Sequence, residues 1–297
     1  MNLPVSAIEL VPHRNRMLLI DNLDGFGEGF GSGVLKVKRN GLFVTRDNQL
    51  DTIVFVELLA QLVAAHSGYE SKLGNGNPKV GFLVGIKDFN FVKNILVDDV
   101  IEMRIRKEHE FDQINYVNGK IIFKDEIIAE GTLKVWEKTT GKENLESTVK
   151  DPTPEKHIIK LSARAKNIIQ EMDLNQDITD NIYELNITGD FTTADAKLYF
   201  PDQFIGFDGH FPGYPLLPGV LMMKTGLLLA ELVLGKKVQL TRIQQAKFAK
   251  SIFPNQIVRF SLKLNYLDED IKINVVISRN EEICSKFSFI TLLSENI

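Results

Sequence analysis

Cysteine is nearly missing from this chain, with one among 297 residues. Cys284 has no possible partner within the chain, which excludes an internal disulfide framework. It stands in the alternating stretch Ile283-Cys284-Ser285-Lys286-Phe287-Ser288-Phe289, where a small strand residue is expected and a reactive thiol is not. Nowhere do about eighteen apolar residues run together, so no membrane-crossing helix is expected. Met1 to Leu10 contain Glu9 and no basic residue, unlike a signal peptide, and the cytoplasm is the default compartment. Excess positive charge is lacking too. A formal net charge of −4 gives no basic stripe for nucleic acid. The five histidines, His13, His66, His109, His157 and His210, are not spaced as a zinc set, and a lone cysteine cannot complete one, so no metal is expected. The glycines of Gly25-Phe26-Gly27-Glu28-Gly29-Phe30-Gly31-Ser32-Gly33 lie at odd positions only. No G-x-G-x-x-G spacing or Gly-Lys-Ser/Thr follows, so the run reads as a flexible hairpin and not a nucleotide loop.

What is present is an ordinary soluble composition, 44% hydrophobic and 25% charged, in a length that suggests two domains. The polar stretch GKENLESTVKDPTPEK (141–156) reads as a linker between residues 1–140 and 157–297. Both flanks follow one plan. The first predicts strands at Met17–Leu23 and Gly33–Val37, a helix from Ile53 to about Tyr69, then strands at Val80–Phe91, Val100–Glu108, Ile114–Asn118, Gly119–Lys124 and Ile127–Glu137. The second predicts strands at Tyr183–Ile187 and Ala194–Phe200, a helix from Val220 to Leu234 closed by Gly235, then strands at Val238–Ala249, Ile257–Tyr266, Lys272–Ser278 and Glu282–Leu292. Ile86 to Ile95 lies over Ile243 to Ile252 without a gap, matching at Ile86, Phe91, Lys93 and Ile95. Both helices are apolar nearly all round, so they are core helices. One central helix wrapped by an antiparallel sheet, twice over, is an α+β double hotdog.

The chemistry-bearing residues gather in two places. Gly209-His210-Phe211-Pro212-Gly213-Tyr214-Pro215-Leu216-Leu217-Pro218-Gly219-Val220 holds one titratable ring in a loop stiffened by three prolines, as a general base requires. Its apolar flanks open the imidazole pKa to tuning. The free N–H groups of Gly219 and Val220, at the start of the second helix, could bind a polarised carbonyl oxygen. Glu57 is a carboxylate on a mostly apolar helix face, where burial would raise its pKa and make it a proton donor. Gln61, one turn on, could orient it. His13 reads as a polar loop residue, His66 as lying on an exposed helix end, and Lys224 as a snorkelling or solvated side chain without chemistry.

The His210-Phe211-Pro212-Gly213-Tyr214-Pro215-Leu216-Leu217-Pro218-Gly219-Val220-Leu221 loop resembles the active-site loop of β-hydroxyacyl-acyl-carrier-protein dehydratases, which are hotdog enzymes. Val11-Pro12-His13-Arg14-Asn15-Arg16-Met17-Leu18-Leu19-Ile20-Asp21 resembles their N-terminal segment, and Val56-Glu57-Leu58-Leu59-Ala60-Gln61 their central helix. The pairing is also similar to the two-subunit dehydratases of aryl-polyene pathways, here in one chain. The resemblance implies active sites between hotdogs, with His from one and the acid from the other. Phe43 stands where a first-half His would be, and Lys224 where a second-half acid would be. One composite site of His210 and Glu57 and one decayed site are therefore expected.

The implied reaction is dehydration of a 3-hydroxyacyl thioester to the trans-2-enoyl thioester, with no cofactor. His210 would take the C2 proton, Glu57 would protonate the hydroxyl, and Gly219 with Val220 would hold the thioester carbonyl. Phe207, Phe211 and Leu58 are expected along the acyl tunnel. Arg242, Lys247 and Lys250 are expected to form a patch for an acidic acyl carrier protein, the implied partner. The alternatives are a hotdog thioesterase, with Glu57 activating water and no need for His210, and a non-catalytic acyl-binding subunit, indifferent to the loss of either residue.

Overall fold

The computed structural model describes residues 2–74, 79–139, 149–155 and 162–293. Most of the 141–156 stretch lies outside the described residues. The first half runs β1 (Val5–Ser6), β2 (Asn22–Leu23), β3 (Gly25–Gly27), β4 (Phe30–Lys36), β5 (Gln49–Leu50), α1 (Val54–Leu73), β6 (Lys79–Phe91), β7 (Ile95–Leu96), β8 (Val100–Phe111), β9 (Ile114–Phe123) and β10 (Glu126–Thr139). The second runs α2 (Ala163–Gln170), α3 (Asp173–Asp180), β11 (Ile182–Ile187), β12 (Thr193–Phe200), α4 (Gly219–Leu234), β13 (Val238–Phe248), β14 (Gln256–Leu267), β15 (Asp270–Arg279) and β16 (Glu282–Leu293).

Twelve strands form one antiparallel sheet in the order β11-β12-β14-β15-β16-β13-β6-β10-β9-β8-β4-β3. The seam between halves is the β6–β13 pair. There Ile243 faces Phe89 and Ala246 faces Ile86. The gapless repeat lays Ile86 on Ile243 and Phe89 on Ala246, so each pair maps onto the other. That is the signature of a two-fold, isologous interface, here within one chain.

Alternation decides which face of each strand is buried. In β9, Val117, Ile121 and Phe123 point inward, and in β12 Ala194, Ala196, Leu198 and Phe200 do so. Helices α1 and α4 fill the two concave faces. Leu58, Leu59 and Leu62 of α1 are buried, as are Leu221, Leu228 and Leu229 of α4. Burying such a side chain contributes about 1.5–3 kcal/mol. Gly235 ends α4 in the left-handed conformation at φ 61°, where glycine carries no Cβ penalty.

Several local expectations differ from the fold. Met17–Leu23 is not one strand: Asn15–Met17 is a single 3-10 turn and β2 keeps only two residues. Ile114 to Phe123 is one strand, because Asn118 and Gly119 stay paired with Thr132 and Gly131. Helices α2 and α3 add to the expected elements: Ala165, Ile168 and Ile169 of α2 and Leu174 and Ile178 of α3 stand at helical spacing and are buried, and Ser162 caps α2 by accepting from the Ala165 N–H at 3.1 Å. His66 is not on an exposed helix end. It is half-buried, bonded to the Gly27 carbonyl at 3.0 Å and stacked on Phe26. Cys284 is buried in β16, and burial pushes its thiol up. Among the described residues, no helix is long and apolar enough to cross a membrane.

Candidate active site

The loop before α4 is held by its own backbone. Leu216 N–H donates to the His210 carbonyl at 3.0 Å, and Leu217 N–H to the Ile252 carbonyl at 2.8 Å. The His210 Nδ1 lies 2.9 Å from the Leu216 carbonyl oxygen. A carbonyl can only accept, so Nδ1 carries the proton and Nε2 keeps its lone pair. Burial pulls this imidazole down to about 4, against the opposing charge of Glu57. His210 is therefore an unprotonated base across the neutral range. The acid limb of activity is expected nearer pH 4 than the ordinary 6.5, readable in a kcat/KM profile. The sign for stability agrees: the folded pKa is depressed, so the contribution is present above 6.5 and lost as pH falls through about 4.

Gly209 ties a second segment to this loop. Arg14 N–H donates to the Gly209 carbonyl at 3.0 Å, and Asn15 Nδ2 donates to Asp208 Oδ1 at 2.7 Å. Gly209 has φ +95°, and a Cβ there would fall 1.7 Å from the Arg14 carbonyl oxygen. Both facts demand glycine. Gly209→Ala is expected to push the Pro12–Asn15 segment off the loop, costing about 10²-fold in kcat/KM by misplacement. Kinetics with circular dichroism would separate this from unfolding.

That docking brings His13 inside. The ring expected in a polar loop is buried, with Nε2 3.4 Å from Glu57 Oε1. It packs against His210, centroids 5.3 Å apart, and edge-on to Phe211 at 4.9 Å. Sequence spacing could not reveal this, because His13 and Glu57 lie in different elements of the first half. The one available signal was the resemblance of the segment around His13.

Glu57 comes from α1 of the first half, across the seam from the His210 loop. Gln61, one turn on, is wholly buried and uses its whole amide. Its Nε2 donates to Glu57 Oε1 at 2.8 Å and to the Met17 carbonyl at 2.8 Å, while its Oε1 accepts from Leu19 N–H at 2.9 Å. Burial alone would raise the Glu57 pKa, as the sequence suggested. The hydrogen bond and charge of His13, with the Gln61 bond, outweigh it and hold the carboxyl below its ordinary value. The expected neutral acid is thus corrected to a carboxylate within an ionisable pair.

His13, Glu57 and His210 line one cavity of about 520 Å³ that draws on both halves. Their donor atoms all lie within 4.8 Å of one another. Among the described residues, this is the one cluster of three whose atoms converge closely enough to hold an ion, a convergence that sequence spacing could not show. Phe211, Gly219 and Phe248 line the wall, and Lys250 contributes to the lining too. A Cβ at Gly219 would fall 2.9 Å from the Phe248 ring, so glycine lets ring and helix start meet. The internal bonds of α4 begin with the Leu221 and Met222 N–H groups on Pro218, leaving the Gly219 and Val220 N–H ahead of them.

Other expected residues lie elsewhere. Phe207 and Leu58 are not cavity-lining: Phe207 packs edge-on to Phe204 in the core, and Leu58, next to Glu57, is rotated off its face and 1% exposed. Val220 is likewise fully buried behind Gly219. Arg242 and Lys250 are neutralised by Asp88 and Glu282, each at 2.5 Å. Lys247 is exposed, facing Lys286 across the strand pair. Lys224 is no solvated side chain. It is buried and paired with Asp51 of the other half at 2.7 Å, because the turn before α1 points a carboxylate at the spot where the resemblance put an acid. Burial pulls Lys224 down, but Asp51 and Glu231 more than offset it.

Residues 5–148 match the ApeP-like family model, described as ApeP dehydratase, and residues 186–287 the ApeI-like model, described as ApeI dehydratase. The 3-hydroxyacyl-[acyl-carrier-protein] dehydratase FabZ of Fusobacterium nucleatum is 27% identical over 93 residues, 30% of this chain and 64% of the relative. The FabZ of Levilactobacillus brevis is 30% identical over 92 residues, 29% of this chain and 60% of the relative. The chain thus spans less than two thirds of these relatives' length. Among solved structures, a putative oleoyl thioesterase from Lactobacillus plantarum superposes with a TM-score of 0.60 at 9% identity, over 90% of this chain and 96% of that one. The dehydratase domain of PpsC from Mycobacterium tuberculosis superposes with a TM-score of 0.54 at 12% identity, over 90% and 95%. At such identities these two share the hotdog fold with this chain.

Proposed function

From the premise that this chain belongs to the hotdog dehydratases, an ApeP-like dehydratase domain followed by an ApeI-like one, we propose that it dehydrates a 3-hydroxyacyl thioester to the trans-2-enoyl thioester at one composite site. The observation that carries this reading is the meeting, in one largely apolar cavity, of a bare imidazole Nε2 from the second half and a carboxylate from the first.

His210 Nε2 takes the C2 proton. The C2 electron pair forms the C2=C3 bond as the C3–O bond breaks, and the leaving hydroxyl takes a proton from the Glu57 side, departing as water. The Gly219 N–H, with that of Val220 behind it, faces the thioester oxygen as enolate character develops. The thioester itself acidifies C2, so these steps call on no cofactor. The acyl chain lies along Phe211, Phe248 and the apolar flank of α1 at Ala60 and Ala64.

The substrate carrier in this reading is an acyl carrier protein. Lys247 supports it, standing in register between Lys286 and Gly85, with Lys134 beyond. Cationic side chains thus flank the seam on both sides, on the outward face of the sheet.

The test is a product assay with a 3-hydroxyacyl thioester on acyl carrier protein and on a small thiol. The expected result is a rise in enoyl absorbance without released thiol, with the carrier-bound substrate preferred. Free acid and thiol with no enoyl product would establish the thioesterase alternative instead.

A further inference from the structure

His13 is not used by the reaction as set out above, yet it sits in the middle of the site. Its Nε2 is 3.4 Å from Glu57 Oε1, which also accepts from the neutral Gln61 amide. A buried carboxylate without a charged partner is costly. Its Nδ1 is buried and, among the described residues, has no hydrogen-bond partner. A histidine held for structure alone would use both nitrogens. This ring is instead placed by backbone, through Arg14 on Gly209, and by the Arg14 guanidinium folded onto the Val11 and His13 carbonyls at 2.7 and 2.6 Å.

We propose that His13 and Glu57 act as one general acid, a buried pair that stores a single proton and delivers it through Glu57 to the leaving C3 hydroxyl. His13 is then a positioning and proton-storing residue acting through Glu57. The inference rests on the dehydratase reading. It resolves a difficulty within it, since a carboxyl held below its ordinary value is by itself a poor acid near neutrality, whereas a pair titrates as a unit.

The protons balance. The pair's proton leaves in the product water, and the C2 proton is left on His210. Because the three groups lie within 4.8 Å of one another, one water between them can carry that proton from His210 Nε2 back to Glu57 and His13. Each turnover then ends with the enzyme as it began.

His13→Gln tests this, since glutamine can fill the same space and donate to Glu57 but cannot store the proton. The other titratable groups lining the cavity are Glu57, Glu137, His210, Tyr214 and Lys250, with Arg14 beside them, and all stay in place. Relative to the parent, kcat/KM of the variant is expected to fall about 10²-fold at alkaline pH. The loss shrinks as pH falls, because Glu57 without the charge of His13 takes up its own proton more readily. The alkaline limb thus moves to lower pH. A uniform loss at every pH, or none, overturns the proposal, since a structural role lowers all points alike.

If His13→Gln does not fold, His13→Ala with added imidazole replaces it, and failure of imidazole to restore the rate counts equally against the pair. A parent enzyme that forms no enoyl thioester sinks the dehydratase reading itself, an outcome distinct from parent turnover with an unshifted variant profile.

Discussion

Exchanging Glu57 for glutamine is expected to lower kcat/KM by about 10²–10⁴-fold while leaving the protein folded, the range for loss of a positioned acid or base. The shape is nearly unchanged, and the new amide oxygen can still accept from Gln61 Nε2, now 2.8 Å from the carboxylate. Glutamine removes a charge that the fold holds below its ordinary pKa, so some stability should be lost at neutral pH while the fold persists. His210→Ala should cost as much, because His210 supplies the bare nitrogen that faces the cavity. The double variant should be little worse than either single one, since base and acid act on one bond-breaking event and their losses do not add. Steady-state kinetics on all three proteins decides it. Full activity in Glu57→Gln and His210→Ala together would mark the chain as an acyl-binding subunit.

The second large effect concerns stability. Lys224→Met should destabilise the fold by about 3–5 kcal/mol, the usual result of removing one partner from a buried ion pair. It strands Asp51, whose side chain is 17% exposed, and withdraws the charge that holds Glu231 down. Burial already pushes Glu231 up to about 7 from 4.5. A carboxyl raised on folding binds its proton more tightly in the native state, so its contribution is full below 4.5 and lost as pH rises through about 7. Without Lys224 that loss steepens, and the variant should be weakest at about pH 8 and least affected near pH 5. Adding Asp51→Asn should recover much of the deficit. Denaturant melts at both pH values would show it, and a Lys224→Met protein as stable as its parent would remove the ion pair as a link between the halves.

This pair ties the two halves of the pseudo-dimer together. Lys224 stands where the resemblance put a second acid, and a carboxylate from the opposite half meets it across the interface. The first half keeps Glu57 and Gln61, and the second keeps the His210 loop. Each helix therefore serves a different purpose at the same place in the fold.

Much of this was legible in the residues. Period-two runs and two helices apolar on every side determined the double hotdog. The gapless overlay of Ile86–Ile95 on Ile243–Ile252 even foretold which residues meet at the seam. Glu57 and Gln61 were readable as a pair because four residues on a helix is a contact distance. The prolines and glycines around His210 were readable as a rigid loop because those residue types restrict the backbone on their own. Signals of this kind are local, set by propensity and by which face of an element must be buried. The burial of His13, the Asp51–Lys224 pair and the withdrawal of Phe207 and Leu58 from the cavity had no such signal. They depend on which turn lands on which loop after β6 and β13 join, as where Arg14 meets Gly209, and such contacts between distant segments leave no period in the chain. The sequence by itself determined the two halves, the rigid loop around His210 and the core helix that carries Glu57. Only the tertiary structure decided that a second imidazole stands beside the acid and shifts its charge, because a pKa is set by neighbours in space.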